Sequence, residues 1–369
     1  MAEFQKKLLA LDGGGVRGMI ALRVLARIES ILREQSGNPN LVLADYFDYI
    51  GGTSTGAIIA AALAIGMSTA ELNEFYRQQA PQLFALTRNR LKRLLYSRYD
   101  GAPMETKLKE VFGVDTKLGS DKLKTLLMLV MLNAGTTSPW PISNNPKAKY
   151  NDPAMGDENN LNLPLWQLVK ASAAAPYFFE PEQIQIGKSR YLFYDGALTS
   201  LNNPAFKLFQ MATLPSYRLE WPTGEKRMLL VSIGTGLIPK EIDRLGFFDK
   251  QVGTTMINAM QSLMCASTAE VDMQCRSLGQ VLAGDPIDGE VGDFVGGVPA
   301  GGTPLYTYVR YNALLTRKGL APLECADLVS QTAFRLDDLA AIAPCALVGD
   351  AVAEKQVKSA HFLAFPHSS

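Results

Sequence analysis

Apolar and polar positions along this chain follow two periods, and the places where one gives way to the other outline an α/β protein. Lys7-Leu8-Leu9-Ala10-Leu11 is a short, continuously apolar run of the kind buried in a parallel sheet. Met19, Leu22, Val24, Leu25, Ile28, Ile31 and Leu32 then recur at helical spacing until Gly37-Asn38-Pro39 stops the pattern. Ala44 to Ile50 is aromatic and β-branched enough for a strand or its approach, and Ala57 to Ile65 is nearly all helix-forming or apolar. Ser68 to Leu86 predicts a helix capped by Ser68 or Thr69, and Met104 to Phe112 predicts another that ends at Gly113. Leu123 to Leu132, Tyr191 to Tyr194, Met228 to Ile233 and Tyr306 to Tyr311 read as strands. Leu165 to Ala175 reads as a helix ended by Pro176, Phe247 to Arg276 as helical, and Asp337 to Lys358 as helical segments broken near Pro344.

Two glycine clusters sit where a strand pattern turns into a helix pattern. The first is Asp12-Gly13-Gly14-Gly15-Val16-Arg17-Gly18, whose unpaired N–H groups and helix dipole favour an anion. The second is Gly52-Thr53-Ser54-Thr55-Gly56, which fits a nucleophile elbow: the bend is so tight that Gly52 and Gly56 must carry no side chain. Gly13, Gly15 and Gly18 also satisfy a dinucleotide fingerprint, but the next strand pattern ends in the elbow rather than in an acidic residue. An oxyanion hole accounts for both clusters together, with N–H groups of Gly14 and Gly15, within the Gly13–Gly15 loop, joined by that of Thr55.

Length and composition narrow the class. The chain has 369 residues, 47% of them hydrophobic, enough for one large α/β domain or two smaller ones. Its 36 basic and 36 acidic side chains leave no excess to attract a nucleic-acid polymer. Cys265, Cys275, Cys325 and Cys345 lie far apart, so reduced thiols in a cytoplasmic protein are expected rather than disulfides or zinc. Asp285, Asp288, Glu290 and Asp293 miss the calcium-loop spacing, and a mobile loop is expected over 285–304. No signal peptide or membrane span is apparent, so lipid would be met peripherally, from water. The basic stretch Arg88 to Arg98 fits an anionic lipid surface, although a solvated segment is the plainer expectation. Gly135 to Pro164 is expected to be a long loop over the substrate site, and Tyr177-Phe178-Phe179 to be core rather than a lipid-contacting wall.

Ser54 needs a base. The two histidines, His361 and His367, lie within ten residues of the C-terminus, where order is commonly poor, so a histidine triad is not expected. Asp195, at the end of the Tyr191–Tyr194 strand and followed by Gly196, is the best candidate for a carboxylate acting directly. A turn aspartate is the bland alternative.

Taken together, the two glycine clusters, Ala171-Ser172-Ala173-Ala174-Ala175-Pro176, and Asp195-Gly196-Ala197 leading to Asn202-Asn203-Pro204-Ala205 resemble the patatin-like phospholipases over about residues 8–236. The resemblance implies a three-layer α/β/α fold with a mostly parallel central sheet, formed by 1–369 as a single hydrolase domain whose portion 237–369 completes or caps it. It implies a dyad in which Ser54 forms an acyl-enzyme and Asp195 moves the proton. Gly13, Gly14, Gly15 and Thr55 would surround the oxyanion, with Arg17, Gly18, Gly52, Gly56 and Gly196 as supporting motif. Neither calcium nor another cofactor is implied. Asp-Gly-Ala replaces the Asp-Gly-Gly of many relatives, a change between small residues. Some compact bacterial members are switched on by cyclic nucleotides during phage infection and degrade membrane phospholipid, which makes a cyclic-nucleotide activator an expectation here. A dinucleotide-binding protein, a general lipid esterase and a non-enzymatic sensor are the alternatives, and homo-oligomerisation is left open.

Overall fold

The structure, a computed structural model, describes residues 5–83, 99–238 and 252–367. The basic stretch Arg88 to Arg98 lies outside the described residues. Nine strands among the described residues form one sheet: β1 (Lys6–Leu11), β2 (Tyr49–Thr53), β3 (Leu126–Asn133), β4 (Ser138–Ser143), β5 (Glu182–Ile186), β6 (Ser189–Asp195), β7 (Met228–Ile233), β8 (Gln280–Ala283) and β9 (Thr307–Tyr311). Their order is β5-β6-β3-β2-β1-β7-β9-β8, with β4 also on β3. β3, β2, β1, β7, β9 and β8 are mutually parallel, whereas β4, β5 and β6 join through antiparallel pairs.

The α-helices among the described residues are α1 (Gly18–Ser36), α2 (Leu43–Tyr46), α3 (Thr55–Ala64), α4 (Thr69–Leu83), α5 (Gly101–Phe112), α6 (Leu165–Ser172), α7 (Ala205–Thr213), α8 (Val252–Leu278), α9 (Arg317–Leu320), α10 (Leu328–Gln331) and α11 (Ile342–Gln356). Alternate strand residues face two cores. Leu9, Leu11, Leu127, Leu129, Leu229 and Val231 meet a cluster built with α1, α3, α5, α6 and α11. Leu8, Ala10, Met128, Val130 and Leu230 meet one built with α7 and the later part of α8. A sheet covered on both faces needs apolar residues at both parities, which is why its central strands read as unbroken apolar runs. The result is the three-layer α/β/α arrangement with a mostly parallel sheet.

Local chemistry fixes several element ends. Gly37 closes α1 at φ 66°, in the left-handed region that glycine enters freely. Ser68 and Glu71 exchange backbone-to-side-chain hydrogen bonds at the start of α4, a capping box. The approach to β2 differs from expectation, because Leu43–Tyr46 forms a one-turn helix before the strand begins at Tyr49. Pro344 does not break α11: it lies in the first turn, where its missing N–H has no intrahelical acceptor to lose.

The stretch expected to cover the substrate site is also different. Residues 135–164 supply β4 and three short 3₁₀ turns, and none of them lines the cavity described below. The 285–304 loop is held at several points: the buried Arg276 donates from Nη1 to the carbonyls of Asp285 and Asp293 at 2.9 and 2.8 Å, and the N–H groups of Gly296 and Ala300 donate to the carbonyls of Val281 and Ser277. Cys275 and Cys345 are buried, Cys265 and Cys325 partly so, and all four are free thiols.

Candidate active site

The register of β3 brings the two halves of the site together. β2 pairs with β3 up to Thr53 opposite Val130, and β6 takes over the same edge with Asp195 opposite Met131. β4 occupies the other edge over Met128–Asn133, so β2 and β6 meet end to end along one side of β3. The elbow and the aspartate thus arrive at neighbouring positions from opposite directions, although 141 residues separate them in sequence.

Ser54 sits at φ 56° and ψ −124°, a strained backbone for a residue with a side chain, immediately before α3. A Cβ on Gly52 would lie 2.1 Å from the Gly56 carbonyl oxygen, and one on Gly56 2.4 Å from that of Leu11, so neither position tolerates a side chain. The Ser54 Oγ donates to Asp195 Oδ2 at 2.6 Å. Asp195 Oδ1 accepts from the Ala197 N–H at 2.8 Å, and a Cβ on Gly196 would meet the Val130 carbonyl oxygen at 2.4 Å. Burial pushes the Asp195 carboxyl up to about 7, against the hydrogen bonds from Ser54 and Ala197, which favour its ionised form.

The glycine loop lies opposite. Gly13 N–H already donates to the Asn202 carbonyl at 3.1 Å, so among the expected donors Gly13 shapes the loop instead. The N–H groups of Gly14, Gly15 and Thr55 donate to no acceptor among the described residues, and all three residues line one cavity with Ser54 and Asp195. Gly15, at φ 57°, has the Leu336 carbonyl oxygen 2.1 Å from where a Cβ would stand. Gly14 is equally restricted, because Thr235 Oγ1 would be 2.0 Å from its Cβ. Gly18 leaves room for Thr55 and Tyr76 rather than for a pyrophosphate. The buried Arg17 reaches the Gly14 carbonyl from Nε at 3.5 Å, and burial lowers its pKa.

Several supports carried no role in the sequence reading. Ser172 Oγ accepts the Ser54 N–H at 3.1 Å and donates to the Val130 carbonyl, tying the elbow to β3. Thr235 donates to the Gly13 carbonyl at 2.7 Å. Tyr76 donates to the Gly15 carbonyl at 2.7 Å and contacts Thr55 Oγ1. Arg310 of β9 grips Asp12 with both terminal nitrogens, at 2.9 and 2.5 Å, and both side chains are buried. Burial alone would lower the Arg310 pKa, but the Asp12 charge outweighs it and pushes it up. Ser172 stood inside a quoted motif, Ala171–Pro176; Thr235, Tyr76 and Arg310 lay in none. Phe178 and Phe179 are buried as expected, yet both also line the cavity, so core and wall are one surface here.

His361 is engaged elsewhere. Its Nδ1 lies 2.7 Å from the Tyr311 hydroxyl, the rings stack, and neither it nor His367 lines the cavity. The variant His361→Ala should keep the reactivity of Ser54 toward a fluorophosphonate within about two-fold while losing about 1 kcal/mol of stability in urea titrations. A folded His361→Ala protein with that reactivity down a hundred-fold would restore the histidine to the reaction. No group of three or more potential metal ligands occurs among the described residues, and no helix among them is long and apolar enough to cross a membrane.

Comparison with known proteins identifies the family of the chain. The family model described as patatin-like phospholipase matches residues 9–209, more than half of the chain. Patatin-17 of Solanum cardiophyllum is 29% identical over 246 residues, which is 62% of this chain and 60% of that protein. The cGAMP-activated phospholipase of Vibrio cholerae is 31% identical over 211 residues, 55% of this chain and 56% of that one. The matched stretch therefore spans less than two thirds of these relatives' length. Among solved structures, VipD from Legionella pneumophila aligns over 84% of this chain and 61% of that one, at 14% identity and a TM-score of 0.37. By the extent of the family match, the chain belongs to the patatin-like phospholipase family.

Proposed function

We propose that this protein is a serine acyl hydrolase that cleaves fatty-acyl esters of membrane phospholipids through a Ser54–Asp195 dyad. The observation that carries the proposal is the 2.6 Å Ser54–Asp195 hydrogen bond in an apolar cavity that also holds the unused N–H groups of Gly14, Gly15 and Thr55. In this reading Ser54 Oγ attacks the ester carbonyl as its proton passes to Asp195 Oδ2. The three N–H groups hold the oxygen that becomes negative. Collapse expels the lysophospholipid alkoxide, which takes the proton from Asp195 and leaves an acyl-Ser54. Water then attacks the acyl group, again giving its proton to Asp195, and fatty acid leaves as that proton returns to Ser54. A carboxyl poised near neutrality is a far better partner for this shuttle than an ordinary aspartate, since it can both accept and return a proton at pH 7.

An activator of the kind named for the Vibrio cholerae relative belongs to the same reading, as does a role for the activated enzyme in antiviral defence. The test of the core proposal is labelling by a fluorophosphonate followed by peptide mass spectrometry. Modification should fall on Ser54 and vanish in Ser54→Ala, and fatty acid should appear from phosphatidylglycerol or phosphatidylethanolamine vesicles. Absence of label with and without added cyclic GMP–AMP would refute the nucleophile. Cleavage of simple esters but of no phospholipid would point to a general esterase.

A further inference from the structure

The cavity beside Ser54 is walled by apolar side chains, chiefly Ile58, Met104, Phe178, Phe179, Met260 and Met264. Its volume is about 60 Å³, against roughly 300–1,000 Å³ for sites that enclose a small-molecule ligand. A fatty-acyl chain enters only if part of this wall yields. The walls are not equally able to do so. Phe178 and Phe179 pack on Tyr99 at ring distances of 6.0 and 5.8 Å, while the Tyr99 hydroxyl donates to Asp337 and its N–H to the Phe178 carbonyl. Ile58 is β-branched and belongs to the helix that carries the elbow, so its side chain has few alternative rotamers.

Met260 and Met264 differ in kind. They are one turn apart on the same side of α8, both buried, and each has an unbranched thioether that adapts its shape at little cost. One further turn along, Thr268 Oγ1 accepts from Asn202 Nδ2 at 3.0 Å. Beyond it Asp272 pairs with Arg276 and accepts from the Tyr308 hydroxyl. α8 is thus held by polar contacts at Thr268, Asp272 and Arg276, and one and two turns before Thr268 it presents two flexible side chains to the cavity.

We infer that Met260 and Met264 form the yielding wall of an acyl-chain site and determine which chain lengths it admits. The inference rests on the acyl-hydrolase reading for its substrate class and adds residues that set specificity, both from outside the matched 9–209 region. Replacing either methionine with Trp removes the space that its movement would open, whereas Ala enlarges it.

The experiment compares p-nitrophenyl acetate, octanoate and palmitate as substrates and, separately, displacement of a fluorescent fatty acid by octanoate and palmitate. Met260→Trp and Met264→Trp should lower kcat/KM for palmitate at least ten-fold relative to acetate and weaken palmitate binding similarly. Met260→Ala and Met264→Ala should move both preferences toward the longer chain, which provides a readout if a Trp variant fails to fold. A change by the same factor at every chain length, with palmitate binding unaltered, overturns the inference while leaving the hydrolase intact. Chain-length-dependent binding in a protein that cleaves no ester upholds the acyl site and refutes the hydrolase reading instead.

Discussion

Asp195→Asn should lose at least about 10⁴-fold in acyl-ester hydrolysis and yet be more stable than the parent above neutral pH. Asparagine preserves the shape and can still meet the Ser54 hydroxyl and the Ala197 N–H, but it cannot take a proton. The gain in stability follows from the same burial that raises the Asp195 carboxyl. The carboxyl rises from 3.8 in an unfolded chain to about 7 in the native state. The native protein therefore binds a proton between those values that the unfolded chain does not. Asp195 contributes stability that is fully present below pH 3.8 and is lost as pH rises through about 7. Above that, the buried anion costs up to about 4 kcal/mol, which the amide removes. Urea titrations at pH 6 and 8 should show the variant's advantage growing with pH. In the parent, kcat/KM should fall about ten-fold per pH unit below an apparent pKa near 7. An Asn variant that is destabilised at pH 8, or a rate independent of pH between 5 and 8, would contradict this account.

The second large effect is expected at the Asp12–Arg310 pair beneath the glycine loop. Arg310→Met leaves a buried carboxylate unpaired and Asp12→Asn leaves a buried guanidinium, and each should cost about 3–5 kcal/mol. The double variant Asp12→Asn/Arg310→Met removes both charges and should recover at least half of the loss, since a neutral interior carries no desolvation penalty. Asp12 is the residue from which the Gly13–Gly15 loop departs, so both single variants should also lower kcat more than they raise KM. Unfolding free energies near the parent value in either single variant would show that water reaches the pair and screens it.

Sequence patterns carried much of the site because its chemistry is written in local constraints. A serine between two glycines at a strand-to-helix switch, and an aspartate followed by glycine at a strand end, each announce a backbone that larger side chains would block. The absence of a histidine outside the last ten residues shifted the expected base to Asp195. Covered strands such as β3 and β7 were legible for a similar reason, since burial on both faces leaves an unbroken apolar run.

Other features depended on contacts between distant segments. Tyr76 and Arg310 are ordinary residues in their own helix and strand, and they matter only because α4 and β9 pack against the first glycine loop. Residues 135–164 join the edge of β3 instead of lining the cavity, because Pro, Asn and Gly mark turns without saying which edge of the sheet those turns will join. The aromatic pair Phe178–Phe179 read as core, and whether a buried ring faces packed neighbours or a cavity is not encoded in its periodicity. By itself, the sequence determined the alternating elements, the two tight glycine turns and the choice of Ser54 and Asp195. Tertiary structure alone decided that β2 and β6 meet end to end on β3, that burial raises the aspartate toward neutrality, and that α8 closes the cavity with two methionines. Those outcomes come from long-range packing and desolvation, which depend on the whole fold rather than on any local stretch of chain.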